Sequence, residues 1–307
     1  MVKSFSVNEL LTMLGCTYKV VGIQDAFVRS FDPIHASTAS SLAWVRAEGA
    51  EGSREISSSL APVVICGQVD VERVDLEKRT LIIVDNPQLT FLRVVKGCVE
   101  SNAKRRDVIH ETAIVSPLAT LAEGVSIGPY AVIGACEIGT NSSIGSHSVI
   151  HDGVVIGNNV IISEFCNVGS NGFSYVRNES GNWENMPHIG RVVIEDDVDV
   201  LSFTNIGRAT LGETRIGHGS KLDHHCHIAH NSTLGARVLV AAGVVVAGGT
   251  HIGDDSALWI GSTIRDNLRI GREAVVGQSA AVAGNIRTRE TWVGNPARRV
   301  PNFDENQ

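Results

Sequence analysis

The sequence has few aromatic residues, no long apolar run and no excess of positive charge, and each shortage excludes a class of protein. Aromatic side chains make up 5% of its 307 residues, which suits a narrow interior filled by Val, Ile, Leu and Ala. No run approaches the 18 apolar residues of a membrane-spanning helix, and the first residues lack the apolar core of a signal peptide. The net charge of −7 disfavours a broad nucleic-acid-binding surface. We therefore expect no membrane span and no nucleic-acid partner.

Cysteine is sparse as well, and its distribution excludes a disulfide framework. No pair has the CxxC spacing of redox or zinc motifs. In a chain of this length, scattered cysteines are typical of reduced thiols in a cytosolic protein. The six are Cys16, Cys66, Cys98, Cys136, Cys166 and Cys226. We expect a cytoplasmic location.

Aliphatic residues recur at every sixth position between residues 216 and 282. A helix repeats near 3.6 residues and a simple strand near 2, so neither produces a strict six. A solenoid of short strands produces a six-residue repeat, because each strand contributes one inward side chain. The twelve positions are Ile216, Leu222, Ile228, Leu234, Val240, Val246, Ile252, Leu258, Ile264, Ile270, Val276 and Val282. The sequence therefore predicts a mainly β protein built as a parallel β-helix.

The six-residue register divides the chain into three parts. It begins at Ile109 and is interrupted by a loop insertion at 169–190. Because three hexapeptides make one triangular coil, we expect about nine coils stacked at the spacing of β-strands. We assign 1–106 to a small α/β domain, 107–290 to the β-helix and 291–307 to a short C-terminal tail.

The first hundred residues lack the six-residue register and carry signals of mixed α/β structure. Ser6 and Glu9 have the spacing of a capping box, which predicts a short helix after Ser6. Asn86 followed by Pro87 predicts the start of a second helix, over Gln88–Val99. The strand candidates are Ala43–Arg46, Pro62–Cys66 and Thr80–Val84. This pattern predicts a small α/β domain.

Two motifs resemble the UDP-3-O-acylglucosamine N-acyltransferases of lipid A synthesis. Residues 172–194, GFSYVRNESGNWENMPHIGRVVI, are similar to that family's GFGY…GNW…P-x-IGRV loop, and residues 222–235, LDHHCHIAHNSTLG, to its IDN-x-x-QIAHN-x-x-IG. The N-terminal layout resembles the family's uridine-binding domain. Covering about residues 1–295, the resemblance implies a left-handed β-helix, a homotrimer, and acyl transfer from a thioester to the amino group of a nucleotide-linked sugar.

The sequence departs from the family pattern at four places. GRATLGET, at 207–214, stands where the family has DRGAL-DDT, and Asn267 stands where it has a second histidine. The family's uracil-contacting pair is not evident, and Trp44 and Arg46 occupy the equivalent stretch. The family's C-terminal helices are missing. A GNPA turn at 294–297 is instead similar to coenzyme-A-dependent sugar acetyltransferases.

His230 is the candidate catalytic base. The resemblance places the family's catalytic histidine on it, and Gly248 and Gly249 lie one coil later, where absent side chains leave room for a thioester arm. Neutral imidazole, with a pKa near 6.5, can take the proton of an attacking amine at physiological pH. Backbone N–H groups near Gly248 can bind the developing oxyanion.

Six further residues are candidates for binding the acceptor sugar. The resemblance implies that Asp223 contacts the sugar or orients a base, and an amide at position 267 can hold a hydroxyl or phosphate. The loop aromatics suit a lid or a sugar-stacking wall, although packing against a neighbouring subunit accounts for them equally well. The six are Asp223, Asn231, Phe173, Tyr175, Trp183 and Asn267.

Candidates for the donor and the nucleotide come from glycines, arginines and one tryptophan. Arginine binds phosphate through a bidentate fork, and tryptophan can stack on a base, although a strand tryptophan is commonly a core residue. The donor candidates are Gly248, Gly249, Arg265 and Arg287, and the nucleotide candidates are Trp44 and Arg46.

A metal site is not expected despite four histidines between residues 224 and 230. His224 and His230 hold the same position in successive hexapeptides, so they point about 120° apart and do not converge on one tetrahedral ion. We expect no tightly bound cofactor. The co-substrate is a thioester, carried by acyl carrier protein or coenzyme A.

Two other functions remain open from the sequence. One is a short-chain acyl-coenzyme-A-dependent N-acyltransferase for a dTDP-, GDP- or UDP-amino sugar of a surface polysaccharide, which the GNPA turn favours. The other is a non-catalytic β-helix that only binds or scaffolds. The IAHN motif and the open position at Gly248 favour an enzyme over a scaffold.

Overall fold

A computed structural model describes residues 4–102 and 108–300, with the side chains of 100–102 left out. The chain forms two compact units, residues 1–105 and 106–307. Within the described ranges, no helix is long and apolar enough to cross a membrane. None of the six cysteines, all inside those ranges, forms a disulfide bond; the cytoplasmic location stays a prediction.

The N-terminal unit is a five-stranded sheet with helices. Strands β4 to β7 are parallel, and β2 joins β7 antiparallel at the edge. The helices are α1 (Val7–Leu11), α2 (Gly49–Ser58) and α3 (Pro87–Asn102), with 3₁₀ turns at Ile34–Ala36 and Val71–Arg73. The strands are β1 (Phe5–Ser6), β2 (Lys19–Gly22), β3 (Phe27–Val28), β4 (Ser30–Phe31), β5 (Ser41–Trp44), β6 (Val63–Cys66) and β7 (Thr80–Ile83).

Both helix starts read from the sequence are present. Ser6 accepts a hydrogen bond from the backbone of Glu9, whose carboxylate accepts one from the backbone N–H of Ser6 at 2.8 Å. Asn86 Oδ1 accepts the N–H of Leu89 at 3.0 Å. These side chains satisfy amide groups that the first helical turn leaves unpaired.

The C-terminal unit is a three-faced, left-handed parallel β-helix. Its ten-stranded face holds β10 (Ser126–Ile127), β13 (Ser143–Ile144), β16 (Ile161–Ile162), β21 (Asp199–Val200), β24 (Lys221–Leu222), β27 (Leu239–Val240), β30 (Ala257–Leu258), β33 (Val275–Val276), β35 (Thr291–Val293) and β36 (Arg298–Val300). Its nine-stranded face holds β8 (Ile114–Val115), β11 (Val132–Ile133), β14 (Val149–Ile150), β17 (Asn167–Ser170), β22 (Asn205–Gly207), β25 (His227–Ile228), β28 (Val245–Val246), β31 (Thr263–Ile264) and β34 (Ala281–Val282). Its eight-stranded face holds β9 (Thr120–Leu121), β12 (Glu137–Ile138), β15 (Val155–Ile156), β20 (Arg191–Ile194), β23 (Glu213–Ile216), β26 (Thr233–Leu234), β29 (His251–Ile252) and β32 (Arg269–Ile270).

The predicted register is confirmed residue by residue. All twelve aliphatic residues at six-residue spacing, from Ile216 to Val282, are at most 3% exposed. Positions eighteen apart pair in parallel, as Leu222 does with Val240 and Val240 with Leu258. Each inward side chain therefore stacks on its counterpart one coil away, and the stacked side chains form one continuous core.

Two ladders run along the corners between faces. Five rings with positive φ stack along the corner between the ten- and nine-stranded faces, with centroids 4.9–5.2 Å apart. They are Tyr130, His147, Phe165, Phe203 and His225.

Buried serines at the corners form hydrogen bonds with the next coil: Ser220 Oγ donates to the carbonyl of Gly235 and accepts the N–H of Val238. The serine hydroxyls thereby satisfy backbone groups at the corners that the strands leave unpaired.

The structure differs from the expected organisation at the C-terminus. Residues 291–300 are not a tail, because β35 continues the ten-stranded face beside β33 and β36 pairs antiparallel with β35. The insertion at 169–190 leaves the β-helix between β17 and β20. It folds into a hairpin of β18 (Tyr175–Arg177) and β19 (Trp183–Asn185).

Candidate active site

A cavity of about 490 Å³ opens on the nine-stranded face where the insertion begins. Its walls come from β22, β25 and β28, from the turns that follow them, and from the first residues of the insertion. His227, His230 and Gly248 line it, together with Phe173 and Asn171. The cavity therefore brings together the candidate base and the candidate donor glycine.

The hydrogen bonds around His230 fix which ring nitrogen carries the proton. Its Nδ1 lies 3.0 Å from Asn231 Oδ1. That oxygen also accepts the N–H and the hydroxyl of Thr210, both at 3.0 Å, while Asn231 Nδ2 donates to the carbonyl of Leu211. Because the oxygen accepts, His230 Nδ1 donates, and Nε2 of the neutral ring keeps its lone pair. This pattern of hydrogen bonds leaves Nε2 as the ring nitrogen that could accept a proton.

Two glycines make the space that this ring occupies. A Cβ on Gly248 would lie 2.8 Å from His230 Cε1 and 2.9 Å from Nε2, and a Cβ on Gly172 would lie 2.8 Å from His230 Cδ2. Side-chain carbons do not pack that closely. The predicted opening beside Gly248 is therefore present, and the imidazole edge that bears Nε2 faces it.

A second histidine, His188, packs against the candidate base. Its ring meets that of His230 edge to face, with centroids 5.4 Å apart. His188 is 6% exposed and neither of its ring nitrogens has a hydrogen-bond partner among the described residues. Burial, and secondarily the neighbouring His230, lowers the pKa of His188. The ring is therefore held neutral beside the base.

A neighbouring cavity of about 460 Å³ lies two strands along the same face. Asn171 lines both cavities, which therefore adjoin. The half-buried Arg208 lines the second one, and its Nε donates to the carbonyl of Gly169 at 2.9 Å. It also donates to the carbonyl of Asp152. Arg208 thus presents a fixed positive charge beside the His230 cavity.

The insertion carries an apolar surface next to the same site. Phe173, Tyr175 and Trp183 enclose a cavity of about 350 Å³. Phe173 also lines the His230 cavity and is 86% exposed. Arg177 lies 4.7 Å above the Trp183 ring, in cation–π contact. The aromatic group therefore lies at the site, which leaves the choice between a lid and a stacking wall open.

Comparison with known proteins supports the reading of the repeats. The bacterial transferase hexapeptide family, of six repeats, matches residues 213–248. The UDP-3-O-acylglucosamine N-acyltransferases of Caulobacter sp. (strain K31) and Wolinella succinogenes are 35% and 38% identical to this chain over 144 and 141 residues. The matches cover 47% and 46% of this chain but 42% and 44% of those relatives, so the chain spans less than half of their length.

Solved structures agree on the architecture. LpxA from Acinetobacter baumannii superposes with a TM-score of 0.56 at 28% identity, over 63% of this chain and 74% of that one. A UDP-N-acetylglucosamine acyltransferase from Francisella novicida gives 0.58 at 27%, over 63% and 70%. The β-helix therefore carries hexapeptide repeats and shares its architecture with these acyltransferases.

The structure does not place two of the predicted acceptor residues, Asn231 and Asp223, where they could bind sugar beside His230. The amide of Asn231 is taken up by Thr210, Leu211 and His230, so it orients the base and is not free to bind sugar. Asp223 lines a separate cavity of about 360 Å³ with Trp259 on the ten-stranded face. Within one chain, Asp223 and His230 do not meet in one site.

The remaining predicted β-helix residues lie outside the His230 cavity. Asn267 is a corner residue with φ +57° whose amide donates to Asp266 at 2.8 Å, and Gly249 is a turn residue with φ +68°. Arg265 lies near Asp266, and Arg287 is exposed. The structure therefore places only Gly248 of the donor set beside the base.

The two nucleotide candidates lie in the N-terminal unit. Trp44 packs against the core cluster around α3, with its ring 6.5 Å from that of Phe91. This packing corresponds to the core alternative that the sequence left open. Arg46 is exposed and lies two residues after the end of β5. Neither position identifies a base-binding site.

The histidine cluster does not assemble into a metal centre. No group of three or more His, Cys, Asp or Glu side chains in the described part of the chain is arranged to hold an ion. His224 lies near Asp223 and His225 stacks on Phe203, at the corner before β25, whereas His230 follows that strand. The hexapeptide register thus separates these side chains.

Sequence reasoning missed His188, His227 and Arg208 as residues of the site. Each lies in a motif already singled out: His188 in the PHIG end of the insertion, His227 in HIAH, and Arg208 in GRATLGET. His227 occupies the outward position of its strand, one residue before the inward Ile228. The alternation of outward and inward side chains within β25 was the sequence signal that could have placed His227 on the surface beside His230.

Proposed function

We propose that this chain is an N-acyltransferase that moves an acyl group from a thioester donor to the amino group of a nucleotide-linked amino sugar. The observation that carries the proposal is the lone pair of His230 Nε2, directed into a cavity that Gly248 keeps open. A scaffold protein has no need of an imidazole oriented in this way.

The residues present account for each proton of this reaction. The sugar amine attacks the thioester carbonyl carbon and forms the C–N bond while His230 Nε2 takes the amine proton. Asn231 Oδ1 accepts from His230 Nδ1 and stabilises the imidazolium. The C–S bond then breaks, and His230 returns the proton to the leaving thiolate. General base catalysis of this kind supplies about 10²–10⁴ in rate.

Two features support a nucleotide-linked acceptor. The relatives from Caulobacter and Wolinella are named for UDP-3-O-acylglucosamine. The adjoining cavity presents Arg208, and guanidinium groups bind phosphate well. An acceptor that occupies both cavities would have its amine at His230 and its phosphates at Arg208. The names of these relatives favour a role in lipid A synthesis over one in surface polysaccharide.

We also propose a homotrimer. The stacked rings from Tyr130 to His225 form an exposed ladder between the ten- and nine-stranded faces. A threefold arrangement along that corner would cover the ladder and bring Asp223 of one chain near His230 of the next. Sedimentation equilibrium should give three chains per particle, and Phe203→Glu should reduce it to one. A monomeric wild-type protein would contradict the trimer.

The function is tested with a panel of donors and acceptors. Acetyl-coenzyme A and 3-hydroxyacyl–acyl carrier protein are each combined with UDP-3-O-acylglucosamine and with UDP-, GDP- and dTDP-linked 4-amino sugars. Thiol release and the mass of the amide product are measured. We expect one pair to react and His230→Ala to lower its kcat at least about a hundredfold. No amide with any pair would refute the proposal, and the reacting donor identifies the carrier.

A further inference from the structure

A second imidazole, that of His227, lines the same cavity as the base. His227 is the outward residue of β25, and Asn205 is its register partner in β22. Val245 follows in β28, also on the cavity wall. The strand position of His227 therefore places its side chain on the wall of the His230 cavity.

Hydrogen bonds fix the tautomer of His227 through two neighbouring strands. The hydroxyl of Ser170 donates to Asn205 Oδ1 at 3.2 Å, so the amide NH₂ is the end that faces His227. Asn205 Nδ2 lies 3.1 Å from His227 Nδ1 and donates to it. A neutral imidazole that accepts at Nδ1 carries its proton at Nε2.

The two imidazoles of the cavity therefore have opposite tautomers. His230 donates at Nδ1 and has a lone pair at Nε2, whereas His227 accepts at Nδ1 and has an N–H at Nε2. Burial, and secondarily the nearby His230, lowers the pKa of His227, so the donor is a neutral ring. A cavity with one acceptor and one donor is suited to a reaction that moves a proton and creates an oxyanion.

We propose that His227 is a further catalytic residue, whose Nε2–H donates a hydrogen bond to the thioester carbonyl oxygen as that oxygen gains negative charge. The proposal rests on the proposed function. It adds a side-chain donor to the backbone N–H of Gly248, a residue that lines the same cavity. That N–H has no backbone partner among the described residues, whereas the Gly248 carbonyl accepts the N–H of Asn267. No proton leaves His227, since the amine proton goes to His230 and then to the thiolate. Neutral donors aimed at a developing charge are effective because they need no reorganisation.

Three substitutions test this assignment kinetically. His227→Phe keeps the ring and removes the donor, and should lower kcat by about 10²–10³. KM for either substrate should change by less than about threefold, since the bond forms mainly in the transition state. His227→Gln, whose amide can donate, should recover at least about tenfold of that loss. His251→Phe, at the same outward position of β29, is the matched control and should keep wild-type turnover.

A measurement without turnover separates this inference from the proposed function. In the ¹⁵N-histidine-labelled protein above pH 7.5, ring-nitrogen NMR should show His227 protonated at Nε2 and His230 at Nδ1, the His227 signals being those that disappear in His227→Gln. Protonation of His227 at Nδ1, or turnover within about twofold of wild type for His227→Phe, would overturn the assignment. If wild-type protein transfers no acyl group while the tautomers are as stated, the proposed function and the catalytic role fall, and the paired tautomers stand.

Discussion

Substitution of Gly248 by Ala tests the site with a single methyl group. The added Cβ would lie 2.8 Å from His230 Cε1 and 2.9 Å from Nε2. Ordinary carbon contacts begin near 3.5 Å, so the ring has to retreat by about 0.7 Å. A displacement near 1 Å costs about a hundredfold when reacting atoms must be aligned. We expect kcat to fall between about tenfold and a hundredfold.

The fold should tolerate this change, which makes the result interpretable. Gly248 lacks the positive φ that strains other residues, unlike Gly249 at +68°. Gly284→Ala is the matched control, because its backbone is also outside the left-handed region and no atom lies within 4 Å of its new Cβ. Turnover is followed by thiol release and folding by thermal melting. Wild-type turnover in a folded Gly248→Ala protein would show that the base does not work at this opening.

Three further predictions concern stability and thiol chemistry. Ser220→Ala removes two buried corner hydrogen bonds and should lower the free energy of unfolding in urea by about 1–3 kcal/mol, whereas the exposed Ser180→Ala should not; equal effects would contradict the corner role. Burial raises the pKa of Cys66 to about 12, and of the six cysteines only Cys16 is exposed. Ellman's reagent should therefore label one thiol quickly in the native protein and none in Cys16→Ser, and several rapidly labelled thiols would contradict this. Burial lowers the pKa of His188 below 6.5, so the unfolded chain binds more protons at this residue and stability should fall as pH drops below 6.5. In thermal melts between pH 7.5 and 5, His188→Gln should show a shallower fall. An unchanged slope would show that His188 does not titrate in this way.

The β-helix could be predicted from the sequence because its core is a local pattern that repeats without exception between residues 216 and 282. Each of the residues from Ile216 to Val282 at six-residue spacing is inward and buried. The helix starts at Ser6 and Asn86 were also legible, because a capping side chain lies within three residues of the amide it binds. The helix Gly49–Ser58 was missed: no side chain caps it, and its two glycines disfavour a helix.

The candidate site was only partly predictable because several of its contacts join residues whose separation in the sequence differs from the eighteen residues of a regular coil. Gly248 lies eighteen residues after His230, one regular coil, and its role followed from that spacing. Asn205 lies twenty-two residues before its register partner His227, because the coil between them is four residues longer than the regular eighteen. His188 reaches the base from the end of an insertion with no repeat at all. Periodicity cannot locate partners whose separation the irregular segments determine.

The side chain of Asn231 shows how a corner can select a catalytic residue. Its φ of +60° is a conformation that asparagine tolerates better than most residues. That conformation turns its amide back onto Thr210 and Leu211, where both ends are satisfied. The oxygen, already fixed, then accepts His230 Nδ1–H and leaves Nε2 as the base. Asn231 thus serves the turn and the tautomer together, whereas an Asp side chain at this position would lose the hydrogen bond that Asn231 Nδ2 donates to the carbonyl of Leu211.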